Sequence, residues 1–401
     1  MALNLRRKYK RLARQGKNSK VVSFTKNKAG KINKATVMSV LVVLFGVTVV
    51  TAIYLYNKYN RYDDYKVLKT VDIQSGESSK YVSFGDFVAK YSSNGISYID
   101  GEETVWDEAH EMKAPMVDVC QDYLAIADKD TNDIAIYSRK GREGSVTTSY
   151  PIKKVEIAKQ GVVAALLEDK QANYIEVFDK EGNTLVSHKA LLDENGYPIN
   201  FSLSDDGTKM IVSYVTVNKG TIDNKVVFYN FSRAGRNAED RVVGEFKQYE
   251  ESIVPAVSFV TNTDAIAVGE DVVSIYKMKA KPKLKNEFSI KDEIDKVFYN
   301  EEYIGLVFKN SNNKSPYRVE VYTFGGNRIL KKNVDLSIDN ITFSGDNILM
   351  YNDLNCEIIS LKGIVKFEYT FKSSMSAILP VDGGKTYLFM TNSEIQKVKL
   401  K

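Results

Sequence analysis

The chain of 401 residues and 45.2 kDa is longer than one average domain, and its 43% hydrophobic and 27% charged residues exclude a largely disordered protein. Two cysteines and two histidines exclude a disulfide-stapled scaffold and leave little room for a multi-histidine metal centre. The net charge of +5 is unevenly spread: residues 1–34 hold twelve Lys and Arg and no acid, while the other 44 bases face all 51 acids, so overall basicity is no sign of nucleic-acid binding.

Residues 1–34 read as a basic cytoplasmic tail. Leu5, Tyr9 and Leu12 recur at helical spacing among Arg6, Arg7, Lys8, Lys10, Arg11 and Arg14, a pattern that suits anionic lipid or RNA, although a topogenic charge block is the plainer reading and nothing specifies bases. Residues 35–56 contain no Asp, Glu, Lys or Arg. As a helix they would extend roughly 33 Å at about 1.5 Å per residue, enough to cross a hydrocarbon core of about 30 Å. Tyr54, Tyr56, Tyr59 and Tyr62 crowd the far end, where amphipathic rings prefer the headgroup layer. The run is too long for the apolar core of a cleaved signal peptide and no small-x-small site follows it, so the expectation is an uncleaved signal-anchor. The positive charge before it places the N-terminus inside and the large C-terminal part outside the cell membrane, as a single-pass protein. Residues 57–64 form a short tether.

Beyond residue 65 the pattern becomes short runs of period two, separated by Gly, Asn and Asp. The runs fall into quartets. Second strands read Leu124-Ala-Ile-Ala127, Val163-Ala-Ala-Leu166 and Ala265-Ile-Ala-Val268; third strands read Ile134-Ala-Ile-Tyr137, Val226-Val-Phe-Tyr229 and Val273-Ser-Ile-Tyr276. Turn glycines follow at Gly101, Gly141, Gly182, Gly235, Gly325 and Gly363, fitting hairpins that need a positive φ. This is an all-β pattern, a β-propeller over residues 65–401, with eight blades expected and seven as the alternative. The blades fall at 81–113, 114–151, 152–198, 199–253, 254–293, 294–337, 338–374 and 375–401. The last has room for three strands only, and the isolated strand 66–73 would complete it, removing two open edges.

The turns Ser204-Asp-Asp-Gly-Thr-Lys-Met210 and Val381-Asp-Gly-Gly-Lys-Thr-Tyr387 are similar to the Asp-Gly hairpins of TolB-like and WD40-like propellers. The order of basic tail, single span and repeats resembles an uncharacterised family of single-pass, membrane-anchored β-propeller proteins of Gram-positive, clostridial bacteria. That resemblance carries over no catalytic residue.

No Ser–His–Asp set, phosphate loop, HExxH or CxxC pair occurs. His110 and His188 read as solvated edge residues, Cys120 and Cys356 as buried free thiols, and the acids between residues 102 and 111 lack the loop pattern of a tight calcium site. No cofactor, metal or catalytic residue is expected. Candidate binding residues come from two features. Lys277, Lys279, Lys281, Lys283 and Lys285 alternate, which on one extended strand would line a single face, as a protected edge or a cationic ridge for an anionic wall polymer. Long connections between second and third strands at 216–224 and 309–317 offer Asn218, Lys219, Asn224, Asn310, Asn312, Asn313 and Lys314 on one rim. The expected function is a non-enzymatic binding or scaffold module at the cell envelope, whose partner is an envelope protein or an anionic wall polymer, with no specific nucleic acid. The alternatives are a single-pass sensor and a glycan- or peptide-active enzyme; the enzyme would require two carboxyls within about 10 Å in the central funnel.

Overall fold

An uninterrupted apolar run has to satisfy its own backbone groups when no water reaches it, and the helix does so. The computed structural model describes residues 34–73, 79–101, 103–218, 220–250, 252–311 and 314–401, and the chain divides into two units after Asn60. In the first unit a helix runs from Lys34 to Tyr59. Its segment Val37–Tyr56 has a mean hydropathy of 2.5 with no side chain buried, and is long and apolar enough to cross a membrane. Thr48, near its middle, donates back to the carbonyls of Phe45 and Leu44 at 2.8 and 3.0 Å, so that hydroxyl asks nothing of its surroundings. The tail features read in residues 1–33 lie outside the described residues.

In the second unit, alternation of apolar and polar residues yields thirty-two strands in eight four-stranded antiparallel sheets, an eight-bladed propeller. Blades one to seven run from inner strand to outer strand in chain order: Lys80–Phe84 to Glu103–Ala109, Pro115–Cys120 to Gly141–Thr147, Ile152–Ile157 to Thr184–Leu191, Tyr197–Leu203 to Val242–Glu250, Ala256–Phe259 to Pro282–Ser289, Ile294–Tyr299 to Arg328–Val334, and Asn340–Ser344 to Val365–Thr370. Blade eight is Ala377–Pro380, Thr386–Met390 and Glu394–Leu400, completed by Tyr65–Asp72 from the start of the ring. That last pairing is antiparallel from Tyr65 opposite Leu400 to Asp72 opposite Glu394, as the spare strand leads one to expect.

No blade buries both its faces alone. The apolar side chains form eight clusters, each shared by two neighbouring blades, including one that joins Leu388 and Ile395 of blade eight to Val88 and Ile99 of blade one. The ring is therefore closed by packing as well as by strand exchange. The chain enters it at Tyr62, which is buried, pairs with Phe367 of blade seven and donates its N–H to the Lys366 carbonyl at 2.7 Å.

The turn glycines divide by physical role. Gly101, Gly141, Gly182 and Gly363 have positive φ, whereas in blade six it is Gly326 that does, beside Gly325. Gly235 serves close approach instead: a Cβ there would collide with the Asn230 carbonyl oxygen.

Candidate binding face and inner ring

In every blade the second-to-third hairpin and the connection onward to the next blade emerge at the same end of the antiparallel strands, and so share one face. Blade four dominates it. Its middle strands, Lys209–Asn218 and Thr221–Asn230, are ten residues each and stay paired to Asn218 opposite Thr221. The expected loop 216–224 is thus a β-finger, because β-branched Thr216, Val217 and Ile222 extend the ladder. Val217 and Ile222 face each other near its end and are 69% and 41% exposed.

Asn224, expected in a binding loop, is corrected. It is buried, its amide donates to the Tyr214 carbonyl and to Ser213 Oγ (3.2 Å), and its Oδ1 accepts from Val254 N at 2.7 Å. A side chain spent in this way joins blade four to the start of blade five and offers nothing to a ligand. Asn218 ends the finger, and Lys219 lies outside the described residues.

In blade six the connection between Tyr303–Lys309 and Tyr317–Thr323 is a true loop. Asn310 organises it, its N–H reaching Pro316 O at 2.8 Å and its amide reaching Ser315 O at 3.0 Å. Lys314 is exposed in the turn, and Asn312 and Asn313 lie outside the described residues. Beside this loop a cleft of about 620 Å³ is lined by Lys291, Asp292, Asp295, Lys309, Asn310 and Arg318. A second, of about 460 Å³, shares the segment 291–295 and runs on to blade five.

The charges of the cleft are ordered. Lys309 pairs with Asp295 at 2.6 Å, and this hydrogen bond raises the lysine's pKa above its ordinary value. Arg318 pairs with Asp292 at 2.6 Å and with Glu320 at 2.9 Å, and lies over the Phe308 ring at 4.4 Å. Burial works to raise Glu320, but hydrogen bonds from Tyr322 and Arg328 outweigh it and hold the carboxyl below its usual range. The cleft floor is accordingly fixed and polar.

The five lysines do not occupy one strand. The chain turns over after Met278 and returns at Pro282, so Lys277 and Lys283 sit opposite each other, Lys279 and Lys281 form the hairpin tip, and Lys285 falls at a bulge. All five are exposed, but Met278 is buried while Ala280 and Leu284 are not, which corrects the single-face reading. Asp264 holds both Lys277 (3.3 Å) and Lys285 (3.8 Å). This hairpin lies on the face opposite the finger.

Sequence reasoning missed the inner ring. Each inner strand has a free edge, and its backbone N–H groups need acceptors. The register aligns one position of each inner strand with the second strand: Val82, Asp118, Glu156, Ser202, Ser258, Phe298, Thr342 and Leu379. In three successive blades this side chain accepts from the next blade's inner strand: Asp118 from Ile157 N (2.7 Å), Glu156 from Leu203 N (2.7 Å) and Ser202 from Phe259 N (3.0 Å). Lys154 neutralises Glu156 at 2.8 Å and reaches Phe201 O at 2.6 Å. Burial, reinforced by Glu156, pushes the Asp118 carboxyl up to about 6.

His110 is exposed, as expected of an edge residue. His188 departs from that reading: it is half-buried, Tyr229 OH lies 3.2 Å from its Nε2, and burial lowers its pKa, with Asp240 opposing. Cys356 is buried and Cys120 half-buried, both as free thiols.

Residues 57–400 match a family of unknown function, DUF5711. No curated protein matches the chain in sequence. Among solved structures, Sqt1 from Chaetomium thermophilum aligns with a TM-score of 0.52 at 9% identity, over 84% of this chain and 99% of that one. The WD40 domain of Pan2 from Neurospora crassa aligns at 0.46 and 11% identity, over 85% and 97%. Hydrazine synthase from Kuenenia stuttgartiensis aligns at 0.46 and 12%, over 82% and 97%. The likeness to Sqt1 is one of propeller fold.

Proposed function

We propose that this chain, which belongs to the DUF5711 family of unknown function, is a membrane-anchored, extracytoplasmic binding ring without enzymatic activity. Its partner in this reading is an envelope protein at the finger-and-cleft face, or an anionic wall polymer at the lysine hairpin. The observation that carries the binding role is the finger: Val217 and Ile222 are held out in water, opposite one another, on the face that also bears the charged cleft. The anchor is supported by the segment Val37–Tyr56, whose apolar side chains are all exposed, behind twelve cations.

The enzyme reading draws on Asp118 and Glu156, neighbouring carboxyls of the inner ring. Each is already committed to a backbone N–H of the following blade, which supports a structural role for both.

Topology is tested with the full chain carrying Lys281→Cys, at an exposed hairpin tip. A membrane-impermeant maleimide should label it in intact, wall-stripped cells. Labelling that appears only after permeabilisation would overturn the extracytoplasmic placement.

A further inference from the structure

The lysine hairpin of blade five does not stand alone. On the same face, the third and outer strands of blade four are joined by the segment 231–241, which carries Arg233, Arg236 and Arg241. Asn230 pins the two together. Its amide donates to the Ala280 carbonyl at the hairpin tip, at 2.9 Å. Its Oδ1 accepts from Ser232 N (3.0 Å) and Ser232 Oγ (2.6 Å), and Ser232 Oγ in turn caps the short helical turn at Ala234 N, 3.2 Å away. Pro282 packs so closely on Gly244 of blade four that a Cβ there would collide with its ring. Arg233 and Arg236 are thereby held on a rigid turn beside Lys279 and Lys281.

Most of the cations on this surface are without an ion-pair partner among the described residues. Lys277 and Lys285 are taken by Asp264, but among the described residues no ion pair holds Arg233, Arg236, Lys279, Lys281 or Lys283, and all five are exposed. The nearby acids of the segment are Glu239 and Asp240, and Asp240 turns to the cleft of His188 in blade three. Guanidinium forks match phosphate oxygens in a bidentate way, while ammonium groups act as point charges. Exposed cations spread over two loops suit an extended ligand that lies across them.

We propose that Arg233, Arg236, Lys279, Lys281 and Lys283 form one composite docking surface, pinned by Asn230, for a linear phosphate-bearing polymer. This deepens the reading of the ring as a binding module. It does not depend on which side of the membrane the ring occupies, so its failure would leave the maleimide result untouched.

The test uses the purified full chain in non-ionic detergent with long-chain inorganic polyphosphate as probe, and reads acetylation of each lysine by mass spectrometry. This site-resolved readout separates the ring from the basic tail. Polyphosphate should slow acetylation of Lys279, Lys281 and Lys283 roughly tenfold at low salt, with protection fading as salt rises. Exposed Lys170 and Lys372, in blade three and after blade seven, should be unaffected. The double variant Arg233→Gln/Arg236→Gln should lose most of the lysine protection, since it removes only exposed groups of the neighbouring blade. Equal protection of Lys170 and Lys372, no protection at all, or full protection in the double variant would overturn the composite surface. So would protection by phosphatidylglycerol vesicles in place of polyphosphate.

Discussion

One position of the inner strands is polar in one arc of the ring and, Thr342 apart, apolar in the other. From blade two to blade five it reads Asp118, Glu156, Ser202, Ser258, and the first three of these stitch each blade to the next through a backbone N–H. From blade six through blade one it reads Phe298, Thr342, Leu379, Val82. There packing does the joining: Phe298 is buried, fills the space left by Gly305, and meets Phe343 of blade seven at 4.6 Å. Similar blades are thus held in one ring by two kinds of seam. The polar seam fixes geometry through directional bonds, whereas the apolar seam depends on volume.

Three substitutions probe that contrast. The largest effect is expected at the apolar seam, where Phe298→Ala should empty a site that Gly305 cannot fill and destabilise the chain by about 3–5 kcal/mol in urea unfolding. A loss below about 1 kcal/mol would mean that the seam collapses and is less volume-dependent than described. At the polar seam, Glu156→Ala leaves Leu203 N without its acceptor and Lys154 without its counter-ion. A loss of about 1–3 kcal/mol is expected. Little change would show that water replaces the stitch.

Asp118→Asn should do the reverse. Its carboxyl is raised in the folded chain, so its contribution to stability is fully present below the unfolded value of 3.8 and is lost as pH rises through about 6. The amide keeps an oxygen to accept from Ile157 N while removing the charge. Asn should therefore add about 1 kcal/mol at pH 7 and flatten the stability profile between pH 4 and 7. An unchanged profile would remove Asp118 from the account.

What could be read in the sequence follows from the range of each interaction. Eight blades and the closing strand were legible because period-two runs and turn glycines are local, and because the last quartet lacked a member. The finger was less so: Gly220 marks its turn, but Thr216 and Asp223 look like loop residues until paired. The lysine run was misjudged because its hairpin turns on Lys279-Ala-Lys281 without a glycine. The polar seam was invisible, since Asp118, Glu156 and Ser202 align only once register is known, and hairpin length varies between blades. Asn230 as a pin would also have escaped notice, because its partner lies in another blade.

The exchange of Tyr65–Asp72 onto Glu394–Leu400 has a consequence for biosynthesis. The ring's first strand in chain order is matched with its last, so at ordinary translation speed it waits on the order of tens of seconds for its mate. During that interval Val71, buried only once the ring closes, lies on an open ribbon, while Val67 and Leu68, which stay 40% and 49% exposed in the finished ring, are flanked by Lys66 and Lys69 as gatekeepers against self-association. Circularisation for this reason waits until Glu394–Leu400 has been made, and a nascent chain arrested before residue 394 keeps the edge of its first strand unpaired.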